Sequence, residues 1–293
     1  MSTKIEFELA DNAFDYVLSA AEYAKRGTPR DLKYAILHLF AGIELLLKAR
    51  LYSHDWKLLF ANITKADQDA LKSGDFRSVD FENGCDRLTA DVSIEIDDAT
   101  KTRLNELRKI RNKVQHFEVT VDAQQANSLL AVGTSFVIDF TNGHLPELLA
   151  PRGELLDQIH EHLREFKHFV SERLREIQGE LGAAATLIEC PRCWQETLIV
   201  GDDENPTCPF CGGEFDAEEM AEFSETSAER CPTCERHTAA VRIAGGNDGD
   251  MTWFCYGCGE SGEYRRCFRC EDLMWEEDGP CSACTTEWMR SND

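Results

Sequence analysis

The sequence predicts a mixed chain: an all-α helical bundle first, a long helical connector next, and small β-rich modules organised by metal ions at the C-terminal end. Three observations carry this prediction. Apolar residues recur at helical spacing through the first half, twelve of the 13 cysteines fall into Cys-x-x-Cys pairs after residue 189, and the charge balance changes at the same place. Residues 1–187 hold 23 basic and 30 acidic residues, a balance of −7, whereas residues 188–293 hold 8 and 24, a balance of −16. Charge and composition thus agree on a boundary near residue 187.

With 293 residues, 42% of them apolar, the chain has room for about two domains and material for at least one full core. No apolar run approaches the roughly 20 residues that span a membrane. The stretch "MSTKIEFELADNAF" has acids where a secretion signal has a basic and then an apolar segment. A cytoplasmic protein without membrane contact is therefore expected. A net charge of −23 gives no footprint for indiscriminate binding to phosphate backbones, so any nucleic-acid contact needs a local basic patch.

The helices follow in order. Leu9, Ala13, Phe14, Val17, Leu18 and Ala21 mark the first, and Gly27 is placed to stop it. Thr28-Pro29-Arg30-Asp31 then supplies a cap, a proline at the first helical position and an acid in the first turn. The following "LKYAILHLFAGIELLLKARL" is apolar around most of its girth, as suits the centre of a bundle or a subunit contact, with His38 as a packing residue. Residues 56–96 read as short helical pieces broken by "KSGDF" and "ENGC", Cys85 being a small buried side chain. Asp97-Asp98 suits the N-terminus of a helix that contains "LRKIRNKVQHF". A fourth helix, roughly 122–140, ends before "TNGHLP".

The segment 152–181 carries Leu156, Ile159, Leu163, Phe166, Val170, Leu174, Ile177 and Leu181, steps of three and four that suit a coiled-coil-like or antiparallel helix with a stutter. It could close the bundle, pair with its copy in another chain, or act as a spacer. The expected division is a helical bundle over 1–150, a helical connector over 151–187, and three modules over 188–224, 225–262 and 263–293.

The cysteine pairs are Cys190/Cys193, Cys208/Cys211, Cys231/Cys234, Cys255/Cys258, Cys267/Cys270 and Cys281/Cys284. Without a secretion signal, this pattern points to metal rather than disulfides. Two residues between cysteines let one tight turn aim both sulfurs at one ion. Proline in "CPRC", "CPFC" and "CPTC" presets that turn, and glycine after "CPFC" and "CYGC" permits a positive φ. Taken in chain order, the knuckles pair across 14, 20 and 10 residues, giving three closed four-sulfur zinc sites whose use is folding. A cross-braced pairing of the last four knuckles is the alternative. "TAAVRIA" and "MTWFCYGC" predict a β-hairpin, and Trp194, Trp253, Trp275 and Trp288 are placed to pack over the sulfur sites. These segments resemble the zinc-ribbon superfamily. Only Arg265-Arg266-x-x-Arg269 approaches the basic face of a nucleic-acid-binding ribbon, so a protein partner, or control of the first domain, is the favoured use of the tail.

On the helix after Asp97-Asp98, Leu104, Leu107, Ile110, Val114 and Phe117 form one apolar stripe, with Arg111, Asn112 and His116 beside it. This Arg-Asn-x-x-x-His arrangement, together with "AILHLFAGIELLLKARL" before it, resembles the HEPN superfamily over approximately residues 5–150. The resemblance implies a dimer through the N-terminal helices and a metal-independent endoribonuclease, toxin-like or defence-related, with an antitoxin or other protein partner. It assigns catalysis to Arg111, Asn112 and His116, with Glu44 and Lys48 as accessory groups, and Arg108 beside them is a further accessory candidate. The imidazole suits proton exchange with the ribose 2′-OH or the leaving 5′-oxygen, and the guanidinium suits a phosphate, giving 2′,3′-cyclic phosphate ends. Arg103, Arg108, Lys109 and Lys113 offer the local basic patch. Two alternatives remain: a non-catalytic dimeric HEPN-like scaffold whose ribbons bind a protein or nucleic-acid partner, with Glu44 and Lys48 an ordinary i,i+4 ion pair, and a transcription-associated ribbon protein.

Overall fold

The computed structural model describes residues 5–201, 205–223, 228–243, 251–267, 269–270, 273–274 and 281–290. The chain divides into two units, Met1–Glu176 and Ile177–Asp293. No helix among the described residues is long and apolar enough to cross a membrane.

The first unit is helical. Its elements are α1 (Leu9–Arg26), α2 (Pro29–His54), α3 (Gln68–Ser73), α4 (Phe81–Val92), α5 (Asp98–His116), α6 (Ala123–His144), α7 (Pro146–Leu149), α8 (Gly153–Glu165) and α9 (Lys167–Glu176), with short 3₁₀ turns between some of them. Gly27 ends α1 at φ 66, and Thr28 caps α2 by accepting from the Asp31 amide, as the local sequence predicts. The apolar girth of α2 has its predicted consequence, since this helix packs against α1, α4, α5 and α6. Its approach to α1 is close. A Cβ placed on Gly42 would lie 2.8 Å from Val17 Cγ2 and 3.2 Å from the Ala13 carbonyl oxygen. Gly133 of α6 similarly faces Leu39 of α2 and Leu107 of α5. Small residues thus set the distances at the centre of the bundle.

Several local readings need correction. "ENGC" does not interrupt a helix: it lies inside α4, where Asp80 caps the start and Ser93 adopts the left-handed conformation at the end. The helix survives because tertiary burial of Phe81, Cys85 and Leu88 outweighs the roughly 1 kcal/mol penalty of Gly84. "TNGH" likewise continues α6 to His144, and Asn142 donates to the Ile138 carbonyl within the helix. The irregular stretch before α4 is held by Arg87, whose guanidinium donates to the carbonyls of Leu58, Phe60 and Ala61 at 2.6, 2.7 and 3.1 Å. An arginine here satisfies backbone acceptors that no regular element pairs.

The segment 152–181 is not one helix. It breaks at Phe166, with ψ 79, and again at Ile177. Phe166 and Phe169 are both buried on either side of the first break. Of the three roles open to this segment, closing the bundle applies to α8 and α9, which pack on α1 and α6 respectively. Arg152 bonds Asp11 at 2.7 Å, and the nearly buried Arg173 bonds Asp139 at 2.5 and 2.9 Å. These cross-ties make α8 and α9 part of the first unit rather than a linker.

The second unit begins with α10 (Gln178–Ala183). Strands β1 (Thr186–Glu189), β2 (Glu196–Val200), β3 (Thr207–Cys208) and β4 (Gly213–Glu214) form an antiparallel sheet in chain order, followed by α11 (Ala217–Phe223). A second sheet, also in chain order, contains β5 (Ala239–Ile243), β6 (Met251–Cys255), β7 (Ser261–Arg266) and β8 (Leu273–Met274), and α12 (Ser282–Arg290) follows. The predicted hairpin is β5–β6, paired from Ala239 opposite Cys255 to Ile243 opposite Met251.

Candidate functional site

In the second unit the cysteines gather into three groups: Cys190, Cys193, Cys208 and Cys211; Cys231, Cys234, Cys255 and Cys258; and Cys267, Cys270, Cys281 and Cys284. The pairing follows chain order, not the cross-braced alternative. All four sulfurs of each group lie within 4.8 Å of one another. Between knuckles, Cys190–Cys211 is 3.8 Å, Cys193–Cys208, Cys231–Cys258 and Cys234–Cys255 are each 3.7 Å, and Cys270–Cys281 is 3.6 Å. These are far longer than a disulfide bond of about 2.05 Å. They match the edge of a tetrahedron with sulfurs about 2.3 Å from a central ion, which is about 3.8 Å. The three groups can therefore hold metal ions.

The turns explain how this geometry arises. In four of the knuckles the residue after the second cysteine is left-handed: Trp194 (φ 57), Gly212 (φ 68), Glu235 (φ 62) and Gly259 (φ 76). Each donates its amide to the carbonyl of the first cysteine, at 2.8, 2.8, 2.9 and 2.9 Å. Glycine does this freely, whereas tryptophan and glutamate bear a cost of about 1–2 kcal/mol. Amides also point at sulfur: Cys234 and Thr233 toward Cys231 Sγ at 3.5 and 3.4 Å, Cys258 toward Cys255 Sγ at 3.4 Å, and Cys281 toward Cys267 Sγ at 3.4 Å.

Two residues at these centres escaped the sequence reading. The hydroxyl of Thr197 lies 3.1 Å from Cys208 Sγ, and that of Thr238 lies 3.1 Å from Cys255 Sγ. Both threonines have no exposed surface. Each stands four residues after the second cysteine of its knuckle, in "CWQET" and "CERHT", and that shared offset was the available signal. Of the tryptophans, Trp253 packs with Cys231, Cys255, Ala239 and Val241 as predicted. Trp194 and Trp288 instead remain 62% and 56% exposed, and Trp275 lies outside the described residues. Trp194 is turned outward because it occupies the left-handed position of its knuckle. Arg269 donates to the Cys284 carbonyl at 3.3 Å, while the side chains of Arg265 and Arg266 lie outside the described residues.

In the first unit, α5 is capped by Asp97, whose carboxylate accepts from the Thr100 amide at 2.9 Å. Hydrogen bonds from Thr100 hold this carboxyl below the usual range. Leu104, Leu107 and Ile110 are buried as expected, each fully buried leucine being worth roughly 1.5–3 kcal/mol. Phe117 departs from the predicted stripe and is 81% exposed, because α5 ends at His116 and the chain turns to extended backbone there.

Arg111 meets Glu44 of α2 at 3.5 Å and donates to Asn112 Oδ1 at 2.9 Å, its guanidinium 5.7 Å from the centre of the Phe40 ring. Glu44 thus pairs across helices rather than with Lys48 on its own helix. Asn112 and His116 are exposed, one turn apart on α5. The other local bases divide. Arg108 bonds Glu82 at 2.5 Å and Asn105 at 3.1 Å, and Arg103 bonds Ser128 at 2.8 Å, so both serve packing between helices. Lys109 and Lys113 are exposed. His38 is half-buried, 2.8 Å from Ser19 Oγ and edge-on to Tyr16 and Tyr23, with burial lowering its basicity.

Compared with known proteins, the chain matches no family model, no curated protein and no solved structure.

Proposed function

We propose that the first unit is a metal-independent endoribonuclease of HEPN type, toxin-like in class, and that the second unit binds three structural zinc ions and serves to target or regulate it. The observation that carries the nuclease reading is the open polar end of α5. Arg111 is oriented by Glu44 and Asn112, and His116 follows one turn on, exposed. The guanidinium retains N–H donors beyond those two contacts. In this reading a second copy of α5 meets the first, and the exposed Phe117 is covered by that meeting. One imidazole removes the 2′-OH proton as O2′ attacks phosphorus, the P–O5′ bond breaks, and an imidazole returns a proton to O5′. The products are a 2′,3′-cyclic phosphate and a 5′-hydroxyl, and the guanidinium balances charge on the phosphate. Zinc is favoured at the cysteine centres by an all-sulfur donor set with no position left for substrate.

A second reading rests on the same Arg111–Glu44 contact. A guanidinium already neutralised by a carboxylate also suits a non-catalytic scaffold. Labelled RNA and matching DNA, incubated with the full chain with and without EDTA, separate the two. The nuclease cuts RNA alone, leaves cyclic phosphate ends, and loses about a hundredfold or more of its rate in His116→Ala. Intact RNA with a dimer still present refutes it in favour of the scaffold. Metal analysis of the purified protein tests the zinc assignment, three ions per chain being the expected result.

A further inference from the structure

Within the second unit, a cleft of about 800 Å³ opens between β1 of the first sheet and the β5–β6–β7 face of the second. Its lining includes Ile188, Glu189, Thr252, Phe254, Tyr256 and Glu263. That volume lies in the range of roughly 300–1,000 Å³ typical of ligand sites. The wall is built by strand alternation. Thr252 pairs with Glu263, and Phe254 pairs with both Ala240 and Ser261, so these side chains share one face of the sheet. The opposite face holds Val241, Trp253 and Cys255 around the second cysteine centre. The two sheets are in direct contact beside the cleft: a Cβ on Gly259 would lie 3.0 Å from Thr186 Oγ1 and 3.2 Å from the Val200 carbonyl. The cleft is therefore framed by two cysteine-centred modules rather than by a loop.

Three features of this cleft select its occupant. Phe254 and Tyr256 stand nearly perpendicular, at 82° with centroids 5.2 Å apart, so they form an aromatic corner. Glu189 and Glu263, both exposed, contribute carboxylates to the lining, in a segment whose balance over residues 188–293 is −16. An aromatic corner with carboxylates attracts a cationic side chain and repels phosphate. Strand β1 is also the end strand of its sheet, with β2 on one side only among the described strands. Such an edge can accept an extended peptide.

From these we infer that the cleft binds an extended basic peptide segment of a partner protein, placing a lysine or arginine side chain in the Phe254–Tyr256 corner with Glu189 and Glu263 around its charge. The inference does not depend on the nuclease reading. It gives the acidic tail a specific ligand chemistry.

The test uses the full, metal-loaded chain and a dye-labelled ten-residue peptide that alternates arginine with threonine. A peptide with glutamate in place of arginine and a single-stranded RNA of ten nucleotides serve as controls. Fluorescence anisotropy is expected to show saturable, salt-sensitive binding of the basic peptide alone. Glu263→Lys reverses one carboxylate and Thr252→Arg fills the cleft with like charge. Each is expected to weaken binding at least tenfold while metal content and unfolding midpoint stay at wild-type values. A milder Glu263→Gln, expected to weaken binding less than Glu263→Lys, keeps the test valid if one variant misfolds. Equal binding by all variants, no binding of the basic peptide, or preference for RNA would each overturn the inference. RNA cleavage measured on the same variants reads the first unit separately, so failure of either proposal is recognisable by itself.

Discussion

Thr197 and Thr238 offer the sharpest test of metal binding at the cysteine centres, because each places a fully buried hydroxyl 3.1 Å from one cysteine sulfur. Replacing both by valine preserves shape and removes only the donor. A hydrogen bond to a charged acceptor is worth about 1.5–3 kcal/mol, and every 1.4 kcal/mol is about a factor of ten in a binding constant. The affinity of the first two centres for zinc should therefore fall roughly ten- to hundredfold, a size also typical for loss of an outer-sphere partner. The third centre provides an internal standard, since Thr285 Oγ1 there donates to the Cys281 carbonyl at 3.1 Å. Competition with a chromophoric chelator counts the ions released at each chelator concentration. The wild type should release its first ion at a concentration set by the weakest site, and Thr197→Val/Thr238→Val should release two ions much earlier. Unchanged release, or equal weakening of all three sites, would refute the argument that these hydroxyls stabilise bound thiolates.

Gly42→Ala should destabilise the first unit by about 1–2 kcal/mol despite the better helix propensity of alanine, because its Cβ would meet the Ala13 carbonyl oxygen at 3.2 Å and Val17 Cγ2 at 2.8 Å. Gly84→Ala, with no atom within 4 Å of its Cβ, should instead gain about 0.5–1 kcal/mol, and urea unfolding of the two variants checks the contrast. Asp80 and Asp97 cap α4 and α5, and hydrogen bonds chiefly to Asn83 and Thr100 depress their carboxyl pKa values in the fold. Their contribution is present above the unfolded carboxyl value and is lost as pH falls through the lower folded values. The acid limb of the unfolding profile should accordingly flatten in Asp97→Asn, measured by circular dichroism. Cys85 is 1% exposed, and burial pushes its thiol up to about 11, so iodoacetamide at neutral pH should leave it unlabelled until the bundle unfolds.

The residues that sequence alone placed correctly share one property: their geometry is local. A knuckle is closed by its own turn, so Cys190-x-x-Cys193 and its five counterparts announce convergent sulfurs without any knowledge of the fold. Thr28, Pro29 and Gly27 act within one helical turn, and the first helix ends and the second begins where those residues predict. The all-round apolar surface of α2 was legible as well, since burial on several sides demands it.

What chain order could not decide depends on contacts between distant segments. Gly84 and "TNGH" look like breaks, yet α4 and α6 run through them, because packing of buried neighbours outweighs a local penalty of about 1 kcal/mol. The stripe over 152–181 resembles one helix, but the chain breaks at Phe166 and Ile177, and its first two parts pack on α1 and α6 of the bundle. Glu44 and Lys48 have the spacing of an ion pair, while the carboxylate turns to Arg111 on another helix. The sequence by itself determined that the two sulfurs of each Cys-x-x-Cys pair converge and that α2 is buried on several sides, because short spacings and solvent exclusion suffice for both. Only the tertiary structure decided which guanidinium meets which carboxylate and where two sheets leave a cleft, because those follow from how separate elements pack.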